Sequence, residues 1–169
     1  MPTLLAAAGD PDIKDKLLKG YKAGEKSFKV HLDGYNLLPF FKGEVKESPR
    51  KEVLYWSDDG DLMALRYGNW KAVFKEQRKE GFEVWSEPMV DLRVPKIFNL
   101  RSDPFERADH DSIYYWDWLL RRVFLLVPAQ GFVAHWIQSF KDFPPSQKPA
   151  SFSIDQVMQK LMSGAEKNH

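Results

Sequence analysis

The spacing of apolar residues along this 169-residue chain changes near residue 112. Before that point, apolar and polar residues alternate over short runs, as in Phe28 to Leu32, and such alternation is typical of strands. After it, apolar residues recur every three or four positions, which predicts an amphipathic helix. The members of this apolar stripe are Ile113, Trp116, Leu120, Val123, Phe124 and Val127. The pattern predicts an α+β fold, in which a small antiparallel β-meander of about four strands packs with helices and an aromatic-rich helical extension follows.

Dipeptides that contain glycine mark the turns of the predicted meander. Asp59-Gly60 separates two β-rich runs, residues 53–56 and 62–67. An Asp-Gly pair between such runs is a strong hairpin signal, because glycine adopts positive φ without strain. Gly68-Asn69 predicts a second turn before a strand over residues 70–74, whose Trp70 we expect in the core. The remaining predicted strands are residues 82–85 and 96–100.

Helices are predicted both before and after the strands of this sheet along the sequence. Pro2 fits the first turn of a short helix that Gly9 ends, and further helical turns are predicted over residues 13–18 and 37–41. In the C-terminal half, Asp109 or Asp111 is expected to cap the helix, and Pro128 is expected to kink or break it. A last short helix is predicted over residues 153–161.

This division predicts how the chain is organised. Residues 1–110 form a subdomain with the antiparallel sheet, residues 111–162 form a helical extension packed on it, and residues 163–169 form a disordered tail. Tyr115, Trp118 and Phe132 cannot all share the stripe that Trp116 and Leu120 define. We therefore expect an exposed apolar surface and self-association through the helices of residues 114–140.

Composition and charge argue against several kinds of partner and of chemistry but leave the compartment undetermined. The net charge is +1 with acids and bases interspersed, which predicts no nucleic-acid partner. The longest uninterrupted apolar run, Val123 to Ala129, is far shorter than the roughly 20 residues of a membrane span, so no membrane partner is expected. No signal peptide is recognised, and we expect a soluble chain whose compartment is unknown. The absence of cysteine removes disulfides, thiolate metal sites and a Cys nucleophile.

Two acidic clusters resemble metal sites but have simpler interpretations. Asp58, Asp59 and Asp61 lack the later bidentate acid of a calcium loop, so a solvated hairpin turn is favoured. Asp109-His110-Asp111 is interpreted as a helix cap with an exposed imidazole. His31 and His135 are expected to be packed or surface histidines. We therefore predict no catalytic, metal-binding or cofactor-binding residue in this chain.

Three phrases carry a family resemblance. They are Asp33-Gly34-Tyr35-Asn36-Leu37-Leu38-Pro39, Ala64-Leu65-Arg66-Tyr67-Gly68-Asn69-Trp70-Lys71 and Phe98-Asn99-Leu100-Arg101-Ser102-Asp103-Pro104-Phe105-Glu106. In this order and spacing, they resemble the C-terminal portion of arylsulfatases, the formylglycine-dependent sulfate ester hydrolases. The motif residues are Asp33, Gly34, Pro39, Arg66, Trp70, Lys71, Asn99, Asp103, Pro104 and Glu106.

The resemblance implies that the catalytic part lies upstream of this chain. Sulfatases form formylglycine from a Cys/Ser-x-Pro-x-Arg signature, and at Ser102-Asp103-Pro104-Phe105-Glu106 the arginine position holds Glu106. A full-length parent, periplasmic or secreted, would hold calcium outside this chain. The chain itself would be inactive, would buttress a catalytic domain or a second subunit, and could shape the substrate pocket. The alternative is a stand-alone interaction module that docks partners through its aromatic helices.

Overall fold

A computed structural model describes residues 1–144 of the chain; the predicted 153–161 helix and the predicted 163–169 tail lie outside the described residues. The strands are β1 (Tyr21–Ala23), β2 (Lys26–Phe28), β3 (Glu52–Trp56), β4 (Leu62–Tyr67), β5 (Trp70–Glu76) and β6 (Val90–Asn99). The helices are α1 (Pro2–Ala7), α2 (Ile13–Lys19), α3 (Leu38–Phe41), α4 (Ala108–Asp111), α5 (Tyr115–Leu120) and α6 (Leu126–Asp142). Two 3₁₀ turns span Gly81–Trp85 and Val123–Leu125.

The larger sheet is an antiparallel meander in the order β3-β4-β5-β6. Gly60 and Gly68 sit in its hairpin turns with φ of 82° and 58°, values that glycine adopts cheaply. Residues opposite one another share a face, and one such row is Leu54, Leu65, Ala72 and Ile97. The α+β fold with an antiparallel sheet is therefore confirmed.

Helix α6 covers the face of the sheet that this row occupies. Leu65, Ala72 and Ala129 form a buried cluster there, with partly buried Leu126 and Val133 packed against it. Aromatic pairs extend the contact, because Tyr67 stacks on Phe132 at 4.5 Å and Trp56 lies 5.2 Å from Trp136. Apolar and aromatic contacts thus hold α6 to the sheet.

Helix α5 covers the edge of the sheet at β6. The Tyr115 hydroxyl accepts from Ile97 N–H at 3.2 Å and donates to the Ile97 carbonyl at 3.0 Å. An edge strand otherwise presents such groups unpaired, so this hydroxyl closes the edge at one residue. Phe98, Tyr115 and Leu119 form the second buried cluster, and Trp118 packs on it. Trp70 is half-buried and stacks on Trp118 at 6.1 Å.

Two predicted strands are wrong. Residues 82–85 form part of the 3₁₀ turn Gly81–Trp85, which the Gln77 side chain holds by donating to the carbonyls of Val84 and Glu87. Phe82 and Trp85 point into solvent there, so no buried face exists to favour a strand. The predicted strand around Phe28 to Leu32 ends at Phe28, as the second strand of a separate two-stranded hairpin.

The predicted helical stripe is correct in spacing but wrong in direction. Trp116, Leu120 and Phe124 face solvent, whereas the buried residues of α5 are Tyr115 and Leu119. The helix also ends earlier than Pro128. It stops at Leu120, a 3₁₀ turn follows, and Pro128 lies in the first turn of α6, where its missing N–H costs nothing.

The predicted cap is wrong as well. Neither Asp109 nor Asp111 caps α5, whose N-cap residue is Tyr114 and has no side-chain cap hydrogen bond. Both acids lie in the short helix α4 that precedes it. The carboxylate of Asp103 instead accepts from the N–H groups of Arg107 at 3.1 Å and Ala108 at 2.9 Å. Asp109 is drawn away because Lys96 lies within 2.6 Å of it.

By length and composition alone, the helical stretch Val123–Asp142 is long and apolar enough to cross a membrane. The uninterrupted run that ends at Ala129 did not predict this, because Gln130 ends that run and the apolar residues resume after it. Core helices of soluble proteins pass the same test but are mostly buried, whereas only 6% of this stretch is buried. Here Leu126, Ala129 and Val133 contact the sheet, while Gln130, His135 and Gln138 lie on the exposed side.

Candidate functional site

The three motif phrases lie at two places in the fold. The second and third phrases meet at one end of the sheet, which we call the hairpin corner: the β4–β5 turn, the end of β6 and residues 100–107. The first phrase lies beside α1, next to a surface depression that we call the Asp33 cleft.

Backbone pairing brings the second and third phrases together. Trp70 lies opposite Asn99 in the sheet, and Leu100 N–H donates to the Asn69 carbonyl at 2.7 Å. The Asn99 side chain accepts from Arg101 N–H at 3.1 Å, which starts the turn after β6. In the β4–β5 turn itself, the Arg66 guanidinium donates to the Gly68 carbonyl at 3.0 Å.

An ion pair closes this corner. Lys71 Nζ lies 2.7 Å from both carboxylate oxygens of Glu106, and the same ammonium sits 4.6 Å from the centre of the Tyr55 ring. Glu106 has φ of 56°, and no other non-glycine residue among 1–144 has positive φ. The left-handed conformation costs a non-glycine residue free energy, so the ion pair and the Asp103 cap hold a strained turn in place. Pro104 lies between these two acids.

The first phrase is fixed by α1. Thr3 Oγ1 donates to the Tyr35 carbonyl and accepts from Leu37 N–H, both at 3.0 Å. A Cβ at Gly34 would lie 3.0 Å from Pro2 Cδ, so a larger residue there would require Pro2 to shift by a few tenths of an ångström. Pro39 occupies the first turn of α3, where proline fits.

The Asp33 cleft combines charged and aromatic side chains. Two adjoining cavities of about 240 and 380 Å³ share Asp33 in their walls. The first also contacts Arg50, Glu52 and the indoles of Trp56 and Trp136. The second is lined by Lys29, His31, Phe140 and Phe143, among others. The sequence predicted Asp33 as a motif residue but gave no sign that α6 would bring Trp136 next to it.

Two contacts order this cleft. Tyr35 donates a short hydrogen bond to Glu52, and this bond together with burial raises the pKa of Tyr35 to about 12. His31 Nδ1 lies 3.0 Å from Asp33 Oδ1, and its ring packs 5.9 Å from Phe143. His31 is thus a packed surface histidine, as expected, and His135 is exposed on α6.

A second ion network, which sequence reasoning missed, joins α4 to the sheet. Lys96 Nζ lies 2.6 Å from both Glu76 Oε2 and Asp109 Oδ2. Burial favours neutral Lys96 and neutral Glu76, but their hydrogen bonds outweigh it, so the pKa of Lys96 is raised and that of Glu76 is lowered. The Asp109 side chain is only 6% exposed, and its Oδ1 has no protein partner among residues 1–144. Lys96 therefore neutralises an almost buried carboxylate.

Within residues 1–144, the side-chain contacts include neither an activated nucleophile nor a cluster of metal ligands. In residues 1–144, the hydrogen bonds of serine and threonine hydroxyls all involve main-chain groups, so none activates a nucleophile there. The same residues contain no group of three His, Cys, Asp or Glu that could hold a metal ion. Asp61 of the acidic hairpin turn instead pairs with Lys75 at 2.9 Å.

Comparisons with known proteins add one weak likeness. No protein-family model and no curated protein matches the chain. Among solved structures, a similar one is that of the PsFucS1 sulfatase from Pseudoalteromonas sp., with 24% sequence identity and a TM-score of 0.42 over 60% of this chain. The match spans 19% of that structure's chain. A likeness at this level shows no family and carries no argument about function.

Proposed function

We propose that this chain is the C-terminal subdomain of a sulfatase-like sulfuric ester hydrolase, and that its role is to buttress a catalytic part encoded upstream. The observation that supports this most is the Lys71–Glu106 ion pair, at 2.7 Å to both oxygens. The two residues belong to different phrases of the resemblance and are 35 positions apart in the sequence. The second and third phrases thus share a structural role, because together they form the hairpin corner.

In this proposal, the residues of this chain supply no catalytic group for the sulfatase reaction. The sequence contains no Cys/Ser-x-Pro-x-Arg signature, and the acidic groups of residues 1–144 do not fit a calcium ion. Calcium and the formylglycine therefore belong to the upstream part in this proposal. The Asp33 cleft is the part of this chain that would shape the mouth of the parent's substrate pocket.

The first test is an activity assay on the purified chain. Hydrolysis of p-nitrophenyl sulfate, measured with and without calcium, should stay at background because the nucleophile and the metal ligands are missing. An active sulfatase assayed in parallel shows that the conditions are permissive. Turnover that survives repurification of the chain would overturn the proposal.

The second test is the coding sequence upstream of Met1. An in-frame Cys/Ser-x-Pro-x-Arg signature supports the subdomain, whereas a promoter directly before Met1 supports the stand-alone interaction module. The exposed aromatics Tyr114, Trp116 and Phe124 favour that module as the second candidate, since large exposed apolar patches mark interaction sites.

A further inference from the structure

The segment around α5 carries a set of exposed apolar side chains, which we call the outer patch. Its seven residues are Ile113, Tyr114, Trp116, Leu120, Val123, Phe124 and Val127. Their exposures range from 45% at Val123 to 87% at Ile113. Leu119, directly beside Leu120 in sequence, is fully buried, so the patch is one face of an otherwise well-packed segment.

The area of the outer patch is close to that of a protein interface. A fully exposed aromatic side chain presents about 150–250 Å² of apolar surface, and a fully exposed aliphatic side chain presents about 60–120 Å². Scaled by the exposures, the seven residues present roughly 450–800 Å². The largest apolar patch of a typical monomer is about 300–600 Å², and each partner of a standard interface buries about 800 Å².

The charges around the outer patch disfavour a lipid partner. Beyond Val127, the exposed side of α6 carries Gln130, His135 and Gln138 beside Phe132 and Ile137, which are only 37% and 43% exposed. The nearby Arg121 pairs with Asp117 at 2.9 Å, and Arg107 pairs with Asp111 at 3.1 Å. Membrane-surface helices instead carry an excess of basic residues on their polar face.

Charges beside the patch are arranged for a second copy. Asp117 and Arg121, both well exposed, lie one turn apart along the same flank of the Trp116–Leu120 stripe. When two such helices pack antiparallel, the same flank of each meets the other. Asp117 of each copy then faces Arg121 of the other, and the contact is made twice, as a two-fold interface requires.

We propose that the outer patch is a self-association surface, on which a second copy of this chain docks with the two α5 helices antiparallel and with Asp117 and Arg121 paired across a two-fold axis. This goes beyond the buttressing role and does not depend on it. The patch supplies the buried area, and the charges fix the orientation.

The experiment is sedimentation equilibrium of the full 169-residue chain across a concentration series. We expect reversible dimerisation, and Leu120→Lys should weaken it at least about tenfold, because the ammonium would be buried against apolar surface. Phe82→Lys is the matched control, since Phe82 is 93% exposed on the distant 3₁₀ turn and should not affect association. Thermal unfolding at low concentration confirms that both variants fold.

A charge swap tests the orientation. Asp117→Arg should weaken the dimer several-fold, since like charges then meet, and Asp117→Arg combined with Arg121→Asp should restore it. A chain that stays monomeric, or a dimer indifferent to Leu120→Lys, overturns the proposal. Flotation of the monomeric chain with anionic vesicles, lost in Leu120→Lys, overturns it in favour of a lipid surface. Failure of the sulfatase role, by contrast, would appear in the activity assay alone.

Discussion

Helices α5 and α6 are neighbours in sequence, but they use their apolar residues differently. Helix α6 turns Leu126, Ala129 and Val133 onto the sheet, and its exposed side carries polar residues together with Val127, Phe132 and Ile137. Helix α5 buries Tyr115 and Leu119 yet leaves Trp116 and Leu120 exposed on its other side. Helix α6 is therefore amphipathic, whereas α5 is apolar on two faces and has a partner among residues 1–144 for only one.

The two helices also attach to the sheet by different forces. Apolar and aromatic contacts hold α6. The region of α4 and α5 adds polar bonds, from the Tyr115 hydroxyl to Ile97 and from Asp109 to Lys96. The contribution of a polar attachment to stability changes with pH and with the removal of a single atom. The contribution of an apolar contact depends mainly on the buried volume. This difference can be tested by substitution.

The largest effect is expected for Lys96→Met. It removes the cation that neutralises Asp109, whose side chain is 6% exposed, and should cost toward the lower end of about 3–5 kcal/mol, since the pair is not completely buried. Urea unfolding of the chain measures this. Lys75→Met is the matched control, because the partners Asp61 and Asp91 are exposed and the pair should contribute at most about 1 kcal/mol. Equal losses in both variants would contradict the assigned role of Lys96.

The second effect separates the two faces of α5. Leu119→Ala removes a fully buried side chain and should lower the free energy of unfolding by about 2–5 kcal/mol. Leu120→Ala, one residue on, should change it by no more than about 0.5 kcal/mol in the monomer. Thermal unfolding at concentrations below dimerisation compares them. A larger loss in Leu120→Ala would mean that the faces are assigned the wrong way round.

A smaller effect is expected for Tyr115→Phe. The ring remains, but Ile97 loses its partner hydroxyl at the sheet edge, which should cost about 1–3 kcal/mol. Tyr114→Phe, on the exposed neighbour, should be nearly neutral. Hydrogen exchange at Ile97 N–H provides a local readout, and protection that survives Tyr115→Phe would show that the edge is closed by something else.

The smallest effect is a pH dependence confined to the ion network. The folded pKa of Glu76 is lowered from 4.5, so its contribution is complete above the unfolded value and is lost as pH falls through the folded one. The raised pKa of Lys96 acts oppositely, and its contribution is lost only as pH rises above 10.5. Unfolding between pH 6 and 3 should therefore show a decline that Glu76→Gln reduces. An unchanged slope in Glu76→Gln would assign the decline to other carboxylates.

The sequence predicts the sheet well because its turns are local. Gly60 and Gly68 mark hairpins through their own backbone freedom, whatever the rest of the chain does. The direction of the α5 stripe depends instead on distant residues. Both Trp116 and Tyr115 satisfy helical spacing, and only the position of β6 decides which of them is buried.

The motif residues follow the same rule. Asp103 contacts residues within five positions of its own place in the third phrase, so the phrase itself indicates a turn. The partner of Glu106 does not follow from the phrase, since Lys71 is 35 residues away. The helix cap shows most clearly which contacts cannot be predicted from the sequence. Asp109 is a reasonable cap by sequence, but its carboxylate pairs with Lys96, and Asp103, which the sequence did not single out as a cap, accepts from the N–H groups of Arg107 and Ala108.

The indole pairs described above have an optical consequence. Trp70 and Trp118 lie 6.1 Å apart with ring planes inclined by 30°, and Trp56 and Trp136 lie 5.2 Å apart with planes inclined by 34°. Excited states of two indoles at such separations couple, and a coupled pair gives a bisignate circular dichroism band. One pair joins α5 to the sheet and the other joins α6 to it. Replacing Trp118 or Trp136 by phenylalanine would remove one of the two circular dichroism signals. Each signal therefore reports whether its helix is attached to the sheet.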